Sequence, residues 1–345
     1  MRNTYAWIAC AALLLSAIFG GCIASNESAG DDKGLPAYGE NESAAVPAYY
    51  NFDFSKYNST LPSGENMFNE LTIISNAMGT RLVATPQNTA AALYMQENLK
   101  SYGLETQLQE FTEMGAVPCK NVLGFKWGTN RSDWIVFGAH YDTSATVQGA
   151  YDNAGGCVAV LELANALSKY NFTKTLVFAL WDFEELGLYG SQYFVEQFKA
   201  NHTFTNFNYD CYGLNYPTSN PLTGQALKHW VGIQKKSDKT GRIENFNSIL
   251  KYVANKTMGI PADMQDFHPF GSGSDHEPFA AVKSPIAYFD SDPDSAEQLC
   301  IYNDPRDEFL TYVVAAGGPE ELKKGLESPA VFAYYSAILW SEFGN

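Results

Sequence analysis

The stretch Trp134–Ala139, WIVFGA, is continuously apolar, and so is a second short run, LVFAL, at Leu176–Leu180. The segment between them, Gly155–Lys169, has the pattern of a helix. Two strands that are apolar on both faces and are joined through a helix are typical of a parallel sheet covered by helices. These residues therefore predict an α/β fold with a mostly parallel or mixed central sheet, flanked by helices on both faces.

Further segments extend this core in both directions along the chain. Glu65–Met78 and Asn88–Tyr102 place apolar residues at helical spacing, and Gly103 follows the second as a helix C-cap. Other predicted elements are strands at Thr106–Phe111 and Asn121–Trp127 and a last helix at Lys323–Phe343. No internal repeat is visible, so residues 61–345 are predicted to form one domain.

Composition and charge limit the class of protein. Of the 345 residues, 46% are hydrophobic and 14% aromatic, which is enough to bury a large core. The 38 acidic and 22 basic side chains give a net charge of −16. Proteins that wrap nucleic acid or lie on anionic membranes recruit lysine and arginine, so no nucleic-acid partner is expected.

The first 22 residues have the layout of an export signal. Arg2 precedes an uncharged run, AWIACAALLLSAIFGGCIA, at Ala6–Ala24. The run is also long enough to be an uncleaved anchor helix. Gly20 and Gly21 directly before Cys22 resemble a lipobox, in which the cysteine becomes lipidated and forms the new N-terminus. All three alternatives place the body of the protein outside the cytoplasm, either released or tethered to the membrane.

Residues 23–60 are rich in Ser, Asn, Gly, Asp, Glu and Pro, which is typical of a flexible spacer. Sequons for N-glycosylation fit an exported chain whose host glycosylates. They begin at Asn26, Asn41, Asn58, Asn130, Asn171, Asn201 and Asn255. Beyond Cys22 the cysteines are Cys119, Cys157, Cys211 and Cys300, an even number compatible with two disulfides outside the cytoplasm. No spacing among the cysteines suggests a metal held by cysteine.

Polar side chains follow the predicted strands at the ends where open α/β sheets bind ligands. They are His140, Asp142, Asp152, Asn153, Asp182, Glu184, Glu185 and, after the stretch Asn206–Tyr209, Asp210. A histidine with several carboxylates on such loops suits one zinc ion or a pair, with a neighbouring carboxylate free to act as a base. Taken singly, each residue has a structural explanation, for example as a helix cap. Their joint order and spacing favour a metal site.

Four motifs occur in an order that resembles a known family. They are GAHYDT at Gly138–Thr143, GAYDNAGG at Gly149–Gly156, EELGLYGS at Glu184–Ser191 and GSGSDHEPF at Gly271–Phe279. The chain resembles the co-catalytic zinc aminopeptidases related to bacterial leucyl aminopeptidase, aminopeptidase Y and glutamate carboxypeptidase. The resemblance implies a zinc exopeptidase, phosphorylase/hydrolase-like fold. It runs from GTRLVATP, which begins at Gly79, to about Phe309 and covers most of the mature chain.

The resemblance also implies a role for each matching residue. Asp152 is expected to bridge two zinc ions. His140 and Asp210 are expected to complete one site, and Glu185 to contribute to the other. Glu184 is expected to be the general base that takes a proton from a zinc-activated water and delivers it to the leaving amine. Asp142, two residues beyond His140 in the same loop, is placed to hydrogen-bond the imidazole.

The sequence departs from the family at one expected ligand. The family places a histidine four residues before an aspartate, whereas Asn303 precedes Asp307 here. An amide oxygen is a weak zinc ligand, so the second site binds its metal poorly, uses Asn303 or Asp304 instead, or is empty. His276 is a further candidate to compensate. Tyr302 matches a tyrosine that in some relatives steadies the tetrahedral oxyanion, although it can equally be a packed aromatic residue.

The sequence thus predicts an exported zinc-dependent metallopeptidase, an aminopeptidase that hydrolyses N-terminal residues from peptides with one or two zinc ions. A glutaminyl cyclase with a single zinc has a similar fold, but that type of enzyme relies on the histidine that Asn303 replaces. A third hypothesis is a degenerate surface protein that binds without catalysis. Asn303 favours this third hypothesis, whereas the intact histidine and carboxylates oppose it.

Overall fold

The computed structural model describes residues 47–214, 231–234, 238–258, 265–266, 273–291 and 303–345. The predicted export signal, Cys300 and Tyr302 lie outside the described residues. The chain divides after Phe52 into two units, and the second, Asp53–Asn345, contains the sheet. In the first unit, Ala48–Asn51 forms a 3₁₀ turn.

None of the helices within the described ranges has the length and apolar character needed to span a membrane.

Eight α-helices lie within the described residues. They are α1 (Gly64–Thr72), α2 (Pro86–Ser101), α3 (Gly155–Leu167), α4 (Tyr189–Phe198), α5 (Arg242–Met258), α6 (Glu277–Ala281), α7 (Phe309–Ala315) and α8 (Pro319–Phe343). Phe54–Thr60 forms a 3₁₀ helix whose first residues are capped by the Asp53 carboxylate, so ordered structure begins before the predicted domain boundary at residue 61.

Eight strands within the same residues form one sheet. They are β1 (Glu105–Glu113), β2 (Val117–Lys126), β3 (Asn130–His140), β4 (Lys174–Trp181), β5 (Thr203–Tyr209), β6 (Gly232–Ile233), β7 (Gln265–Asp266) and β8 (Ile286–Phe289). Their order is β1-β2-β4-β3-β5-β8-β6-β7. Strands β4, β3, β5 and β8 are parallel, whereas β2 is antiparallel to both its neighbours and β6 is antiparallel to β8. The predicted mixed sheet is confirmed.

The two apolar runs form the centre of this sheet, as their composition predicts. β4 is buried along its whole length, and its partner β3 is buried from Asp133 onward. The pairing brings His140 opposite Trp181, so both strands end at the same level. The polar residues that follow them therefore share one edge of the sheet.

Helices cover both faces, because successive side chains of a strand point to opposite sides. Trp134 packs in one cluster with Phe194 of α4 and Phe279 of α6. On the other face Phe207 stacks on Phe137 and meets Phe246 of α5 edge-on. The predicted flanking of the sheet on both faces is therefore confirmed.

Several element boundaries differ from those predicted. The predicted helix Glu65–Met78 is two elements, α1 and a wider helical turn at Ile73–Met78. The Ser63 hydroxyl accepts a hydrogen bond from Asn66 N and sets the start of α1. Gly103 ends α2 with a φ of 82°, as predicted.

The two disulfides with which the number of cysteines is compatible are not formed. The three described cysteines are free thiols, and two disulfides among four cysteines require at least one bond between these three. Cys119 lies in β2 and Cys157 in α3, both buried. Their thiols donate to the carbonyl oxygens of Val117 and His140 respectively, so each is directed at a backbone acceptor and not at another thiol.

Candidate metal centre

Four of the predicted site residues meet at the carboxyl ends of β3, β4 and β5. His140 Nε2 lies 3.0 Å from Asp152 Oδ1 and 3.3 Å from Asp210 Oδ1. The same nitrogen lies 3.8 Å from Glu184 Oε2. His140 is 1% exposed, and the Asp152 and Asp210 side chains are buried as well. The structure therefore brings together one imidazole and three carboxylates around a common point.

Asp152 reaches this point from an irregular turn, Ala150–Ala154, that precedes α3. The backbone at Asp152 and Asn153 is not helical, and the peptide bond between them is cis. The Asn153 side chain accepts from Gly156 N at 3.0 Å and donates to Tyr209 O at 2.8 Å, which ties the turn to the end of β5. A Cβ atom at Gly156 would lie 2.4 Å from Asn153 Oδ1, so this close approach requires glycine.

Asp307 fixes the same turn, a function that was not predicted for it. Its carboxylate oxygens accept hydrogen bonds from Tyr151 N at 2.7 Å and Asp152 N at 2.9 Å. Burial raises the pKa of Asp307 to about 7, although the two N–H donors lower it and the Asp152 charge raises it. The sequence feature that could have indicated this function is the position of Asp307 four residues after Asn303, where a metal ligand was expected.

Arg81 is a second residue that sequence reasoning missed. It is fully buried, and its guanidinium donates to the carbonyl oxygens of Tyr141 at 2.7 Å, Gln148 at 2.8 Å and Gly149 at 2.9 Å. Its backbone N–H donates to the Thr143 hydroxyl. One side chain thus joins the loop after β3 to the turn that carries Asp152.

Asp142 was predicted to hydrogen-bond the imidazole, and it does so through its backbone carbonyl oxygen. His140 Nδ1 lies 3.2 Å from the Asp142 carbonyl oxygen and 3.6 Å from its carboxylate. The carboxylate instead accepts from the backbone N–H groups of Glu184 at 3.0 Å and Glu185 at 3.3 Å. A carbonyl beside Nδ1 orients the ring and leaves Nε2 directed at the carboxylates.

The fourth motif supplies a partner to Asp210. Ser274 Oγ donates to Asp210 Oδ2 at 2.6 Å and accepts from Asn208 Nδ2 at 2.9 Å. His276, the proposed substitute ligand, lies against the ring of Tyr288 with centroids 4.5 Å apart. Burial lowers the pKa of His276 to about 3, which keeps its imidazole neutral.

Burial and the neighbouring charges shift the pKa values of this cluster. Burial raises the pKa of Glu185 well above its ordinary value, and the Asp152 charge raises it further. Burial alone would lower the pKa of His140, but the charges of Glu184 and Asp210 outweigh it and raise that pKa well above its ordinary value. Within the described ranges, no lysine or arginine forms an ion pair with these carboxylates.

Comparison with known proteins agrees with this geometry. Residues 121–310, more than half of the chain, match peptidase family M28. The chain belongs to peptidase family M28. The resemblance stated from the four motifs is therefore confirmed.

Individual M28 relatives and similar solved structures extend the comparison. Aminopeptidase YwaD of Bacillus subtilis (strain 168) is 26% identical over 244 residues, which cover 68% of this chain and 48% of that protein. The alignments to the first curated relatives cover between 24% and 48% of those proteins, so the chain spans less than half their length.

Two solved structures show the same fold. BSAP, a zinc aminopeptidase from Bacillus subtilis, has a TM-score of 0.62 at 16% identity over 80% of this chain and 95% of that chain. The glutaminyl cyclase of Fimbriiglobus ruber also has a TM-score of 0.62, at 17% identity over 87% of this chain and 100% of that chain. At these identities the likeness concerns the fold alone.

Two sets of donor atoms in this M28 chain lie close enough to share a metal ion. The atoms of each set lie within 4.8 Å of one another. One set is His140, Glu184 and Asp210, and the other is Asp152, Asp210 and Cys211. Sequence reasoning missed Cys211, because it considered only the spacing between cysteines.

The two remaining predicted ligands lie outside both donor sets. Glu185 accepts a hydrogen bond from Ser144 N at 3.1 Å. Asn303 is exposed, has a φ of 56°, and forms no hydrogen bond within the described part of the chain. Its assignment as a metal ligand stays a prediction.

Proposed function

We propose that this M28 chain is a zinc-dependent aminopeptidase that hydrolyses N-terminal residues from peptides. The observation that carries the proposal is the buried cluster in which His140 Nε2 faces Asp152 and Asp210 at 3.0 Å and 3.3 Å. Such a cluster of negative charge calls for a bound cation. The relative YwaD is named an aminopeptidase, and the similar structure BSAP is a zinc aminopeptidase.

The donor chemistry fits zinc. Imidazole nitrogen and carboxylate oxygen are both zinc ligands, and protein sites in catalytic zinc enzymes combine them. We assign Asp152, His140 and Asp210 to the metal centre, with Glu185 contributing to a second ion and Asn303 as its weak ligand. Zinc bound there would lower the pKa of a coordinated water toward 7 and polarise the peptide carbonyl.

Glu184 is the general base in this proposal, and its surroundings differ from those of Glu185. Asp142 fixes the Glu184 backbone N–H, while the Glu184 carboxylate accepts no hydrogen bond within the described residues. The Glu185 carboxylate is engaged by Ser144 N. Burial raises the pKa of Glu184, and a base whose pKa lies nearer the working pH transfers protons more efficiently.

The reaction assigned to this chain is a hydrolysis. Glu184 takes a proton from the attacking water while the water oxygen forms a bond to the peptide carbonyl carbon. The same carboxylic acid then gives that proton to the leaving amine nitrogen as the C–N bond breaks. Tyr302, outside the described residues, is assigned the hydrogen bond to the developing oxyanion.

The proposal places the enzyme outside the cytoplasm, released or tethered through its N-terminal segment. The sequons that lie in described residues support an exported, glycosylated chain, because every one of their asparagines is exposed. They are Asn58, Asn130, Asn171, Asn201 and Asn255. Peptides are the proposed substrates, and no nucleic-acid partner is proposed.

Hydrolysis of chromogenic amides by the zinc-loaded full chain tests the activity. We expect amides of unblocked amino acids to be cleaved, and the matching N-acetylated amides to be left intact. A chelator should abolish the cleavage and zinc should restore it. Cyclisation of N-terminal glutamine with release of ammonia would replace the proposal by a glutaminyl cyclase, whose fold the chain shares. Zinc bound without any turnover would indicate a degenerate binding protein.

A further inference from the structure

Cys211 lies at the centre without a part in the mechanism above. It directly follows Asp210, and its Sγ atom lies within 4.8 Å of carboxylate oxygens of both Asp152 and Asp210. We propose that Cys211 is a thiolate ligand to the zinc ion that Asp152 and Asp210 bind. This inference rests on the proposed zinc function and adds a donor to it.

The backbone at Cys211 explains how the thiol reaches the cluster. In an extended strand the side chains of consecutive residues point to opposite faces, so Asp210 and the next residue would diverge. Cys211 instead has a φ of 48°, in the left-handed region that is unfavourable for residues other than glycine by about 1–2 kcal/mol. With this turn, donor atoms of both residues lie beside Asp152.

Hydrogen bonds from a neighbouring strand hold this turn in place. Asp210 N donates to Phe289 O at 3.0 Å, and Ser291 N donates to Cys211 O at 2.9 Å. Phe289 is the last residue of β8. The position of the thiol is therefore fixed by the sheet, and does not depend on a freely moving loop.

The other described cysteines provide a contrast. Cys119 and Cys157 are buried, and their thiols donate to backbone carbonyls. Cys211 is partly exposed and has carboxylate oxygens as neighbours. The Cys211 thiol is hydrogen-bonded to the Asp210 carboxylate and so faces the residues assigned to the metal, whereas the other two thiols face backbone carbonyl groups.

Ligand chemistry favours the thiol over the amide. Zinc binds thiolate strongly, and a carboxamide oxygen is not among its usual protein ligands. Asn303 is exposed and forms no hydrogen bond within the described ranges. As the sulfur–zinc bond forms, the S–H bond breaks and its proton passes to solvent. No oxidant or reductant is required.

Cadmium is the probe that distinguishes sulfur from oxygen and nitrogen ligands, because cadmium thiolates absorb in the ultraviolet by charge transfer. The full chain, stripped of metal and titrated with cadmium, should develop this absorption. Cys211→Ser and Cys211→Ala should lack it, and Cys119→Ser, the matched control in β2, should keep it. Loss of a residue that only hydrogen-bonds a metal ligand weakens metal binding about 10–100-fold. Because Cys211 is proposed as a direct ligand, both Cys211 variants should lose more than about 100-fold in cadmium affinity at one site.

Asn303→His tests whether the thiol acts independently of the missing histidine. This substitution alone should leave the ultraviolet absorption of the cadmium-loaded chain unchanged, because Asn303 is assigned to the other ion. Equilibrium dialysis carried out in parallel measures the total bound cadmium, so it separates the proposed thiolate ligand from the proposed zinc function. Cadmium bound tightly by the wild type without sulfur absorption would overturn the thiolate ligand and leave the zinc function standing. Absence of any bound metal would overturn both.

Discussion

The central strands carry buried charged groups at both ends, and the two clusters are balanced in opposite ways. At the amino ends, the Asp133 carboxylate pairs with Lys174 and with Arg242, whose Nη2 lies 2.6 Å from Asp133 Oδ1. At the carboxyl ends, carboxylates surround His140, and no lysine or arginine of the described residues forms an ion pair with them. Buried charges are costly unless they are paired. The charges of the amino-end cluster are paired with one another within the protein, whereas the carboxyl-end cluster requires a bound cation.

The pKa shifts express the same contrast. Burial alone would raise the pKa of Asp133, but hydrogen bonds from Arg242 and Lys174 outweigh it and hold that pKa below its ordinary value. Burial raises the pKa of Glu185 well above its ordinary value, and neighbouring carboxylates add to the increase. The pKa of Asp210, which lies beside His140 and accepts from Ser274, is lowered as well, so each carboxyl pKa follows the partners that accompany the group.

The largest effect is expected from removing a ligand of the carboxyl-end cluster. His140→Ala removes the imidazole, and Asp152→Ala removes the carboxylate assigned to both ions, so each should abolish zinc binding and activity. Zinc content after dialysis and turnover of an aminoacyl amide measure this. His202→Ala, which removes an imidazole stacked on Trp134 near the amino ends, is the matched control and should keep both. Near wild-type zinc and turnover in either site variant would place the metal elsewhere.

Exchanging the two adjacent glutamates should separate base from ligand. Glu184→Gln should keep zinc and lower kcat by about 10²–10⁴-fold, because it removes the general base. Glu185→Gln should instead lose zinc from one site. Steady-state kinetics and metal analysis on both variants decide the matter. If Glu184→Gln lost its zinc in proportion to kcat, the assignment of the pair would have to be reversed.

At the amino ends, the expected effect is on stability and not on activity. Asp133→Asn leaves Lys174 and Arg242 without their buried anion and should lower the free energy of unfolding by about 3–5 kcal/mol. Because the folded pKa of Asp133 lies below its unfolded value of about 3.9, this difference should be full above that value and disappear as pH falls through the folded pKa.

Urea unfolding of wild type and Asp133→Asn across pH measures this difference, with zinc content and kcat as unaffected readouts. Lys100→Gln breaks an exposed pair with Glu97 and is the control that should change nothing measurable. A constant difference at every pH would argue against the pairing of Asp133 with its two cations.

The smallest expected effect comes from the support of the Asp152 turn. Asp307→Asn retains only one good acceptor for two N–H donors, so the turn should shift and zinc affinity should fall about 10–100-fold. Competitive titration with a chelating dye measures the affinity. Glu308→Gln, at the exposed neighbour of Asp307, is the control. Unchanged zinc affinity in Asp307→Asn would show that Asp307 supports the fold and does not affect zinc binding.

Local sequence features predicted the sheet and the residues at its carboxyl edge. The apolar run at Trp134–Ala139 indicated a central strand, and parallel strands end at one edge, so His140 and Asp210 could be placed together. The position of Asp307 could not, because it reaches the Asp152 turn across more than 150 residues of chain. Long-range contacts of this kind leave no periodic pattern in the sequence.

Other differences have their own physical reasons. Cys211 reaches the carboxylates only because its backbone adopts a positive φ. Neither a glycine nor a turn motif at this position in the sequence predicts that conformation. An even number of cysteines suggested disulfides but carried no information on the distances between them. Asp142 was expected to hydrogen-bond the imidazole and does so through its backbone carbonyl, because its carboxylate accepts from two backbone N–H groups.

The central claim is that the carboxyl-end cluster binds zinc while the amino-end cluster needs no metal. Thermal unfolding of the metal-stripped full chain, with and without zinc, tests it directly. Zinc at about 1,000 times its dissociation constant should stabilise the wild type by roughly 4 kcal/mol and raise its Tm. The same zinc should leave the Tm of His140→Ala unchanged and raise that of Asp133→Asn as much as in the wild type. An unchanged Tm in the wild type, or an equal rise in His140→Ala, would contradict the claim.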